Sequence, residues 1–242
     1  MKIGFTLKPK DGNIEDFEKQ IEDLEKIGAE SAEIPLYELD VVCGKKIIKD
    51  ELKLLNKFTL KSNLKFSIHG SMSVNLLDED YLEEHLQVLE KEIQVCSDLN
   101  IKILVTHFGH TSVATSQNQK KYNDLINIQK QKYFEMAEIA KAHGVKLCIE
   151  NIFPYTNLHF TALPSEVSES ISEINHPNAR TTIDFSHAYI NCNLRNKDLI
   201  PEIETMIPYT EHLHVHDSFG KFKTMYTYIF AEDITYGQGD IH

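Results

Sequence analysis

The sequence contains no tryptophan, and its four cysteines are scattered singly along 242 residues. No two cysteines form a C-x-x-C pair, so neither a zinc-ribbon site nor a thioredoxin-like motif is indicated, and we expect reduced thiols. No apolar run is long enough to span a bilayer, and no signal-peptide pattern follows Met1. We therefore expect a cytoplasmic protein without a membrane partner.

Basic residues are also scarce relative to acidic ones. The 25 lysines and arginines face 37 aspartates and glutamates, which gives a formal net charge of −12. Binding to nucleic acid usually requires cations that neutralise phosphates, so this balance argues mildly against general affinity for DNA or RNA. Hydrophobic residues make up 41% of the chain, enough for a sizeable core. The length suits one large domain, and we predict a single domain over residues 1–242.

Short β-like runs alternate with amphipathic stretches along the chain. The predicted strands are Lys2–Leu7, Ser31–Leu36, Lys65–Gly70, Lys102–Gly109, Lys146–Asn151, Ala179–Ala188 and Glu211–Asp217. Apolar residues at helical spacing predict helices over residues 17–27, 82–96 and 133–140. A strand and a helix recur about every 30 to 45 residues. This alternation predicts parallel strands joined by right-handed crossovers.

The polar and apolar residues of these strands fall on opposite faces. Glu150 and Asp184 lie on the polar faces of two strands, and His214 lies on that of the last strand, opposite Leu213 and Val215. In a barrel the apolar faces pack against outer helices, and polar side chains gather at the carboxyl ends of the strands, where barrel active sites lie. This parity favours a barrel over an open doubly wound sheet, which the alternation alone would also allow.

The open-sheet alternative is also disfavoured because no G-x-G-x-x-G motif, which is typical of dinucleotide-binding sheets of that kind, follows the first strand. An eighth strand would be due about 30 to 45 residues after the seventh, beyond His242. We therefore predict an α/β fold, a (β/α)8 TIM barrel that lacks the eighth βα unit in this sequence. We expect the missing unit to belong to residues beyond those given.

Histidines and carboxylates stand at the ends of several predicted strands: His69, His107, Glu150, Asp184, His187 and His214. A lone histidine at a strand end is more often structural than a ligand, but recurrence at one height in successive units is difficult to attribute to chance. Burying these groups together would be costly, and a divalent cation would remove that cost. The donor types predict Mn²⁺, Zn²⁺, Co²⁺ or Mg²⁺ as the cofactor.

Three further residues are predicted to bind substrate. His216 lies on the same strand face as His214, where it would either contact the cavity or support His214. Glu33 would serve as a substrate contact or as half of an internal ion pair. Lys221, in the loop after the last predicted strand, could meet a phosphate, although solvated loop lysines are more common.

A series of motifs follows the predicted strands in order along the chain. They are Ser67-Ile-His69-Gly70, Thr106-His107-Phe-Gly109, Cys148-Ile-Glu150-Asn151, Thr182-Ile-Asp184-Phe-Ser-His187, His212-Leu-His214-Val-His216-Asp217 and Gly237-Gln-Gly-Asp240-Ile241. Together they resemble the xylose-isomerase-like TIM-barrel superfamily over nearly the whole chain. That superfamily includes sugar isomerases and epimerases, related dehydratases and endonuclease IV-type DNA-repair enzymes.

The resemblance to the epimerase branch implies a metal ion held by Glu150, Asp184 and His214, with His187 binding the substrate beside it. A further glutamate from the eighth strand completes the set in that branch, and this sequence ends before such a residue. The implied reaction is isomerisation or epimerisation of a small sugar or sugar-like substrate through an enediolate. Glu150 would act as the general base.

The endonuclease branch is the alternative, and it implies zinc-dependent cleavage of DNA at abasic sites. There His69, His107 and His187 would join the other ligands around three zinc ions. Two more ligands would come from a D-x-H sequence, where this chain has Ala231-Glu-Asp233. This departure counts against a full trinuclear site, and nucleic acid is a partner only under this alternative. A metal-stabilised barrel without activity is the third hypothesis, and the sequence leaves a homo-oligomer open.

Overall fold

The computed structural model describes residues 2–220. Seven parallel strands lie within this range: β1 (Gly4–Thr6), β2 (Ser31–Pro35), β3 (Lys65–His69), β4 (Ile103–His107), β5 (Lys146–Glu150), β6 (Ala179–Asp184) and β7 (Thr210–His214). Their order in the sheet follows their order in the chain, as a succession of βα units requires. Each of the seven predicted strands thus corresponds to an observed strand, although some of the predicted bounds differ from the observed ones. Lys221 and the motifs at residues 231–233 and 237–241 lie outside the described residues.

Helices connect the strands. They are α1 (Asp16–Lys26), α2 (Lys49–Lys61), α3 (Leu82–Asp98), α4 (Val113–Gln117), α5 (Gln119–Ala142), α6 (Pro164–Ile174), α7 (Phe185–Leu194) and α8 (Leu199–Met206). The three predicted helices correspond to α1, α3 and the second half of α5. Among the described residues, no helix is both long enough and apolar enough to cross a membrane.

The packing divides the chain into two compact units. The first comprises the described residues of Met1–Val74, Glu83–Thr106 and Met136–Leu147, and the second those of Asn75–Leu82, His107–Glu135 and Cys148–His242. Each unit has its own buried apolar residues, such as Ile34 and Leu89 in the first and Phe108 and Ile190 in the second. The single domain over residues 1–242 stays a prediction.

In the second unit, an antiparallel pair joins the loops that follow β4 and β5. It pairs His110–Ser112 with His159–Thr161. The side chain of Asn75 braces this region, since its Oδ1 accepts from the His110 N–H and its Nδ2 donates to the His110 carbonyl, both at 3.0 Å. The sequence predicts no strand at these residues, because pairing between two distant loops leaves no local pattern.

The loop after β4 passes very close to helix α5. The Gly109 N–H donates to Gln129 Oε1 at 2.9 Å, and Gln129 is fully buried. A Cβ atom at Gly109 would lie 2.3 Å from this Oε1 and 2.7 Å from Leu77 Cγ. The absence of a side chain at Gly109 therefore allows this approach of the backbone to α5.

The predicted strand Ala179–Ala188 is wrong beyond Asp184. Helix α7 begins at Phe185, and Asp184 caps it by accepting the His187 N–H on Oδ1 at 2.8 Å. An aspartate in this position satisfies a backbone donor that the first helical turn leaves without an intrahelical partner. The last strand also ends earlier than predicted, at His214. Val215 is 60% exposed, so its predicted place on a packed apolar face is wrong.

Candidate metal centre

The carboxyl ends of strands β4 to β7 carry most of the predicted ligands within the second unit. His107, Glu150, Asp184 and His214 are the last residues of these four strands, and His187 lies in the first turn of α7. Asp184 and His214 are direct partners in the register between β6 and β7. Parallel strands end at the same edge of a sheet, which is where barrel active sites lie.

Two imidazoles converge on one carboxylate oxygen. The Nδ1 atoms of His214 and His187 lie 3.1 and 3.2 Å from Glu150 Oε1. The same two nitrogens lie 3.7 and 3.5 Å from Asp184 Oδ2. Nitrogen and oxygen donors from three strands or their ends thus face a common point, which is the arrangement that a bound cation requires.

Both carboxylates are deeply buried, with Glu150 and Asp184 each 1% exposed. Asn151 fixes the backbone of Asp184 from both sides: its Oδ1 accepts from the Asp184 N–H and its Nδ2 donates to the Asp184 carbonyl, both at 2.9 Å. Two ionised carboxylates in so dry a location would be costly without positive charge beside them. Their burial therefore favours a site built for a cation.

Two more histidines contact these carboxylates. His216 Nε2 lies 2.5 Å from Asp184 Oδ2, and the choice between contact with the cavity and support of His214 stays a prediction. His107 Nε2 lies 3.6 Å from Glu150 Oε2. Both histidines therefore offer nitrogen atoms next to the central carboxylates.

The donor set fits a divalent metal ion. Ligand atoms of Glu150, Asp184 and His214 lie within 4.8 Å of one another, and so do those of Asp184, His187 and His216. Mixed imidazole and carboxylate donors suit Zn²⁺, Mn²⁺ and Co²⁺, and Mg²⁺ would use the carboxylates. The structure therefore supplies clusters able to hold a divalent ion.

Aromatic side chains from the loop after β5 border these residues. The hydroxyl of Tyr155 lies 3.4 Å from His107 Nδ1, and the ring of Phe153 packs against that of His187 with centroids 4.7 Å apart. Burial and the charge of Glu150 raise the pKa of Tyr155 to about 12, so its phenol stays neutral at physiological pH. Sequence reasoning gave no reason to place this phenol on His107.

The two other predicted site residues, Glu33 and His69, belong to the first unit. Glu33 Oε2 accepts from the Ser67 hydroxyl at 3.0 Å, and Glu33 is 7% exposed. His69 Nδ1 lies 3.0 Å from the Gly70 carbonyl, and its ring meets Tyr37 edge-on at 5.2 Å. His69 is the last residue of β3 and Glu33 is the middle residue of β2, and their roles stay predictions.

A further buried carboxylate of the first unit escaped the sequence analysis. Glu92 of helix α3 is 0% exposed, and its Oε1 accepts the Ser71 N–H at 2.6 Å. Burial raises the pKa of Glu92, because the charged form is poorly solvated there. Its sequence neighbours Leu89, Ile93 and Cys96 predict the buried face of α3, but a glutamate on that face is unexpected.

Comparison with known proteins identifies the family. Residues 21–242 match the family described as the xylose isomerase-like TIM barrel, and the chain belongs to this family. The resemblance drawn from the strand-end motifs is thereby confirmed, and with it the barrel fold class.

Individual relatives are distant. The 3-dehydroshikimate dehydratase of Bacillus anthracis is 26% identical over 140 residues, which cover 56% of this chain and 46% of that protein. The chain thus matches about half the length of this relative. A D-tagatose 3-epimerase-like protein superposes with a TM-score of 0.72 at 18% identity, covering 100% of this chain and 82% of its own. D-psicose 3-epimerase from Clostridium cellulolyticum H10 gives 0.64 at 18%, covering 90% and 73%.

Proposed function

We propose that this chain is a divalent-metal-dependent isomerase or epimerase that acts on a small sugar or sugar-like substrate through an enediolate. The observation that carries the proposal is the convergence of two imidazole nitrogens on one oxygen of buried Glu150, at 3.1 and 3.2 Å. The structural relatives named as epimerases of D-tagatose and D-psicose support the class of substrate.

In this proposal Glu150, Asp184 and His214 hold the metal ion. When bound, Mn²⁺, Zn²⁺, Co²⁺ or Mg²⁺ would polarise adjacent carbonyl and hydroxyl oxygens of a substrate and so acidify the C–H bond beside them. His187 and His107 offer further nitrogen donors at Glu150, at 3.2 and 3.6 Å. His69 remains a proposed ligand on the sequence motif alone.

The side chains of this protein would bind the substrate and move its proton. Glu150 is the proposed general base, since its carboxylate stands at the centre of the donor cluster and a base must come within hydrogen-bond reach of the proton that it removes. His187 contacts both carboxylates and would hold a substrate oxygen next to them. His216, beside Asp184, and Glu33 remain proposed substrate contacts, and so does Lys221.

Dehydration is a variant of the same chemistry. The curated relative is a dehydratase of 3-dehydroshikimate. Removal of a proton next to a carbonyl group can be followed by its return to the other face, which gives an epimer, or by departure of a neighbouring hydroxyl, which gives a dehydrated product. The same general base would begin both reactions.

Zinc-dependent cleavage of abasic DNA is the second candidate. It is favoured by His107, whose Nε2 lies 3.6 Å from Glu150 Oε2 and which would add a nitrogen ligand beside that carboxylate. The net charge of −12 argues against it, because phosphate contacts require lysines and arginines. We therefore rank it below the isomerase.

The test is metal analysis of the purified full chain, followed by activity assays. Metal per chain is measured in the wild type, in Glu150→Gln and in His107→Gln, with Glu169→Gln as a matched control, because Glu169 lies on the exposed face of α6. Metal-loaded protein is then assayed with a panel of ketoses, with hydroxylated cyclic ketones and with an abasic-site DNA duplex.

About one ion per chain that is lost in Glu150→Gln and kept in His107→Gln and in the control, together with turnover of a ketose, would support the isomerase or epimerase. Several zinc ions, partly lost in His107→Gln, with cleavage of the DNA duplex, would replace it with the nuclease. Absence of metal binding by the wild type, even after reconstitution, would overturn both.

A further inference from the structure

A polar cavity of about 300 Å³ lies in the second unit, at the end of β6 opposite to the candidate metal centre. Arg180, the second residue of β6, lines this cavity, whereas Asp184 ends the same strand four residues later. A strand rises about 3.3 Å per residue, so the Cα atoms of these two residues are about 13 Å apart. The cavity is therefore separate from the proposed metal ligands.

The polar side chains around this cavity can all donate hydrogen bonds. They are Ser172, Asn175, His176, Arg180 and Tyr209. No described residue that lines the cavity is acidic, although the chain contains 37 aspartates and glutamates. The lining therefore suits a ligand that accepts hydrogen bonds and carries negative charge.

The guanidinium group of Arg180 is anchored and still has donors to offer. Its Nη2 donates to the Pro208 carbonyl at 3.0 Å, which uses one of five N–H groups. Its buried Nε has no hydrogen-bond partner among the described residues, and Glu211 Oε1 lies 3.7 Å away from it, too far for a hydrogen bond. The Arg180 side chain is 24% exposed, so a ligand that enters the cavity can reach it.

The imidazole of His176 is a fixed part of the cavity wall. Its Nδ1 accepts the Asn178 N–H at 3.1 Å, so the neutral ring carries its hydrogen on Nε2 and is a donor there. The ring packs edge-on against Phe134 with centroids 5.4 Å apart, and His176 is 7% exposed. A ligand in the cavity thus meets a histidine whose ring is already held in place.

Two features of the structure oppose an anion in this cavity. The carboxyl end of α6 borders it and carries the negative end of the helix dipole, but this effect is confined to the last turn and is screened by salt. Glu211 also attracts Arg180, but at 3.7 Å and without a hydrogen bond the attraction of a partly exposed pair is small. A two-point contact between a guanidinium and an oxyanion is stronger than either effect.

We propose that this cavity binds a phosphate group, either free or carried by a small molecule, and that Arg180 is the main residue that holds it. The guanidinium matches two phosphate oxygens at once, and a phosphate group offers further oxygens to donors in other directions. A cavity of about 300 Å³ is at the lower end of the range of small-molecule sites. The proposal does not depend on the proposed function, because none of the proposed metal ligands takes part.

The experiment is an NMR titration of the full chain labelled with ¹³C-histidine. The protein is first treated with a chelator, so that phosphate cannot bind through a metal ion, and pH and ionic strength are held constant. The ring signals of His176, identified with His176→Gln, report both the location and the affinity of binding. The probes are inorganic phosphate, glycerol 3-phosphate and the dicarboxylate malonate.

Two variants test Arg180 from opposite directions. Arg180→Lys keeps the charge but loses the two-point geometry, and its control is Arg195→Lys, at the ion pair with Glu166 in the same unit. Glu211→Gln leaves Arg180 in place and removes the carboxylate that competes for it. Its control is Asp124→Asn, on the exposed face of α5. Circular dichroism establishes that the variants are folded.

We expect the His176 signals to shift with saturation on addition of inorganic phosphate. Glycerol 3-phosphate should bind at least as tightly, and malonate about 10-fold more weakly. Arg180→Lys should weaken phosphate binding about 10-fold, because a charge-assisted hydrogen bond is lost. Glu211→Gln should strengthen it about 3- to 10-fold, because a nearby negative charge is removed. Both controls should match the wild type.

The proposal is overturned if neither phosphate probe shifts the His176 signals, or if the shifts are confined to other histidines. It is also overturned if Glu211→Gln leaves the affinity unchanged, an outcome that remains decisive even when Arg180→Lys fails to fold. Malonate that binds as tightly as phosphate would overturn the assignment of a phosphate group. Tighter binding of glycerol 3-phosphate than of inorganic phosphate would support an ester as the ligand, and equal binding would support free phosphate.

Discussion

Glu92 in the first unit and Glu150 in the second are buried to the same extent, at 0% and 1% exposure. Glu92 lies on the inner face of a helix, and its Oε1 accepts a backbone N–H from Ser71. Glu150 ends a strand, and its Oε1 faces the Nδ1 atoms of two histidines. Both are carboxylates in dry surroundings, and the groups around them give them different capabilities.

The two glutamates differ in whether the groups that contact their carboxylates can also bind a metal ion. A backbone N–H can only donate, so the bond from Ser71 to Glu92 holds the turn at Ser71 in place and supplies no metal ligand, and His69 acts on Glu92 through its charge. An imidazole nitrogen can present a lone pair, so the histidines around Glu150 can bind the same ion as the carboxylate. Burial of an acidic residue is therefore a weak indicator of a site until the chemistry of its partners is considered.

The largest expected effect comes from Glu150→Gln. The amide is nearly isosteric but is a poor metal ligand and no general base, so the variant, assayed with the ion in the buffer, should lose at least about 10²- to 10⁴-fold in kcat. Steady-state kinetics on a ketose that the wild type converts provide the measurement, and Glu169→Gln should keep wild-type rates. A Glu150→Gln variant with full activity would remove the distinction between the two glutamates.

Metal binding should also stabilise the wild type against heat. An ion present at about 100 times its dissociation constant would add about 2.7 kcal/mol to the free energy of unfolding. For a chain of this size, that corresponds to an increase of about 5–10 °C in the unfolding temperature. Differential scanning calorimetry with and without the ion tests this, and Glu150→Gln should show little of the increase, whereas Glu92→Gln should show most of it.

Glu92→Gln should instead change how stability depends on pH. Because the pKa of Glu92 is raised above its ordinary value of 4.5, the folded protein binds this proton more tightly than the unfolded chain does. Stability therefore falls as the pH rises from the unfolded pKa towards the folded pKa. The variant lacks this proton, yet its amide oxygen can still accept from Ser71.

Thermal unfolding of both proteins across about pH 4 to 8 measures this difference. The unfolding temperature of Glu92→Gln should gain on that of the wild type as the pH rises. A constant gap between the two curves would mean that burial does not raise the pKa of Glu92, and its carboxylate would then be better solvated than its position suggests.

The smallest change in stability should come from weakening an ion pair of a carboxylate that is neither deeply buried nor near the candidate site. Glu166 receives both terminal nitrogens of Arg195, at 2.8 and 3.0 Å, and the two side chains are 37% and 30% exposed. Arg195→Lys loses the two-point geometry and should cost about 0.5–1 kcal/mol, less at high salt. Urea unfolding at low and high ionic strength measures this cost, and a loss well above about 1 kcal/mol that does not shrink with salt would contradict the prediction.

The strand-end residues could be predicted from the sequence because side chains alternate along a strand. This alternation placed Glu150, Asp184 and His214 on one face and at one height, and the structure brings the three together. It failed just past Asp184, where the chain turns into α7. The pattern of apolar residues does not distinguish the end of a strand from the first turn of a helix, although an aspartate three residues before His187 indicates a cap.

The surroundings of these residues could not be predicted in the same way. Tyr155 reaches His107 across 48 positions of sequence, and the antiparallel pair that holds it joins two loops without a local pattern. Glu92 lies among apolar residues of a helix face where a glutamate is ordinarily exposed. Contacts of this kind depend on tertiary packing, which a single sequence does not reveal.

The close approach at Gly109 has a consequence for how this protein can vary. Because a methyl group there would lie 2.3 Å from Gln129 Oε1 and 2.7 Å from Leu77 Cγ, no single substitution at Gly109 fits while both neighbours keep their places. In a library of random variants, changes at Gly109 should survive only together with smaller residues at both position 129 and position 77. Such joint survival would reveal this internal contact of Gly109 from the sequences of the surviving variants.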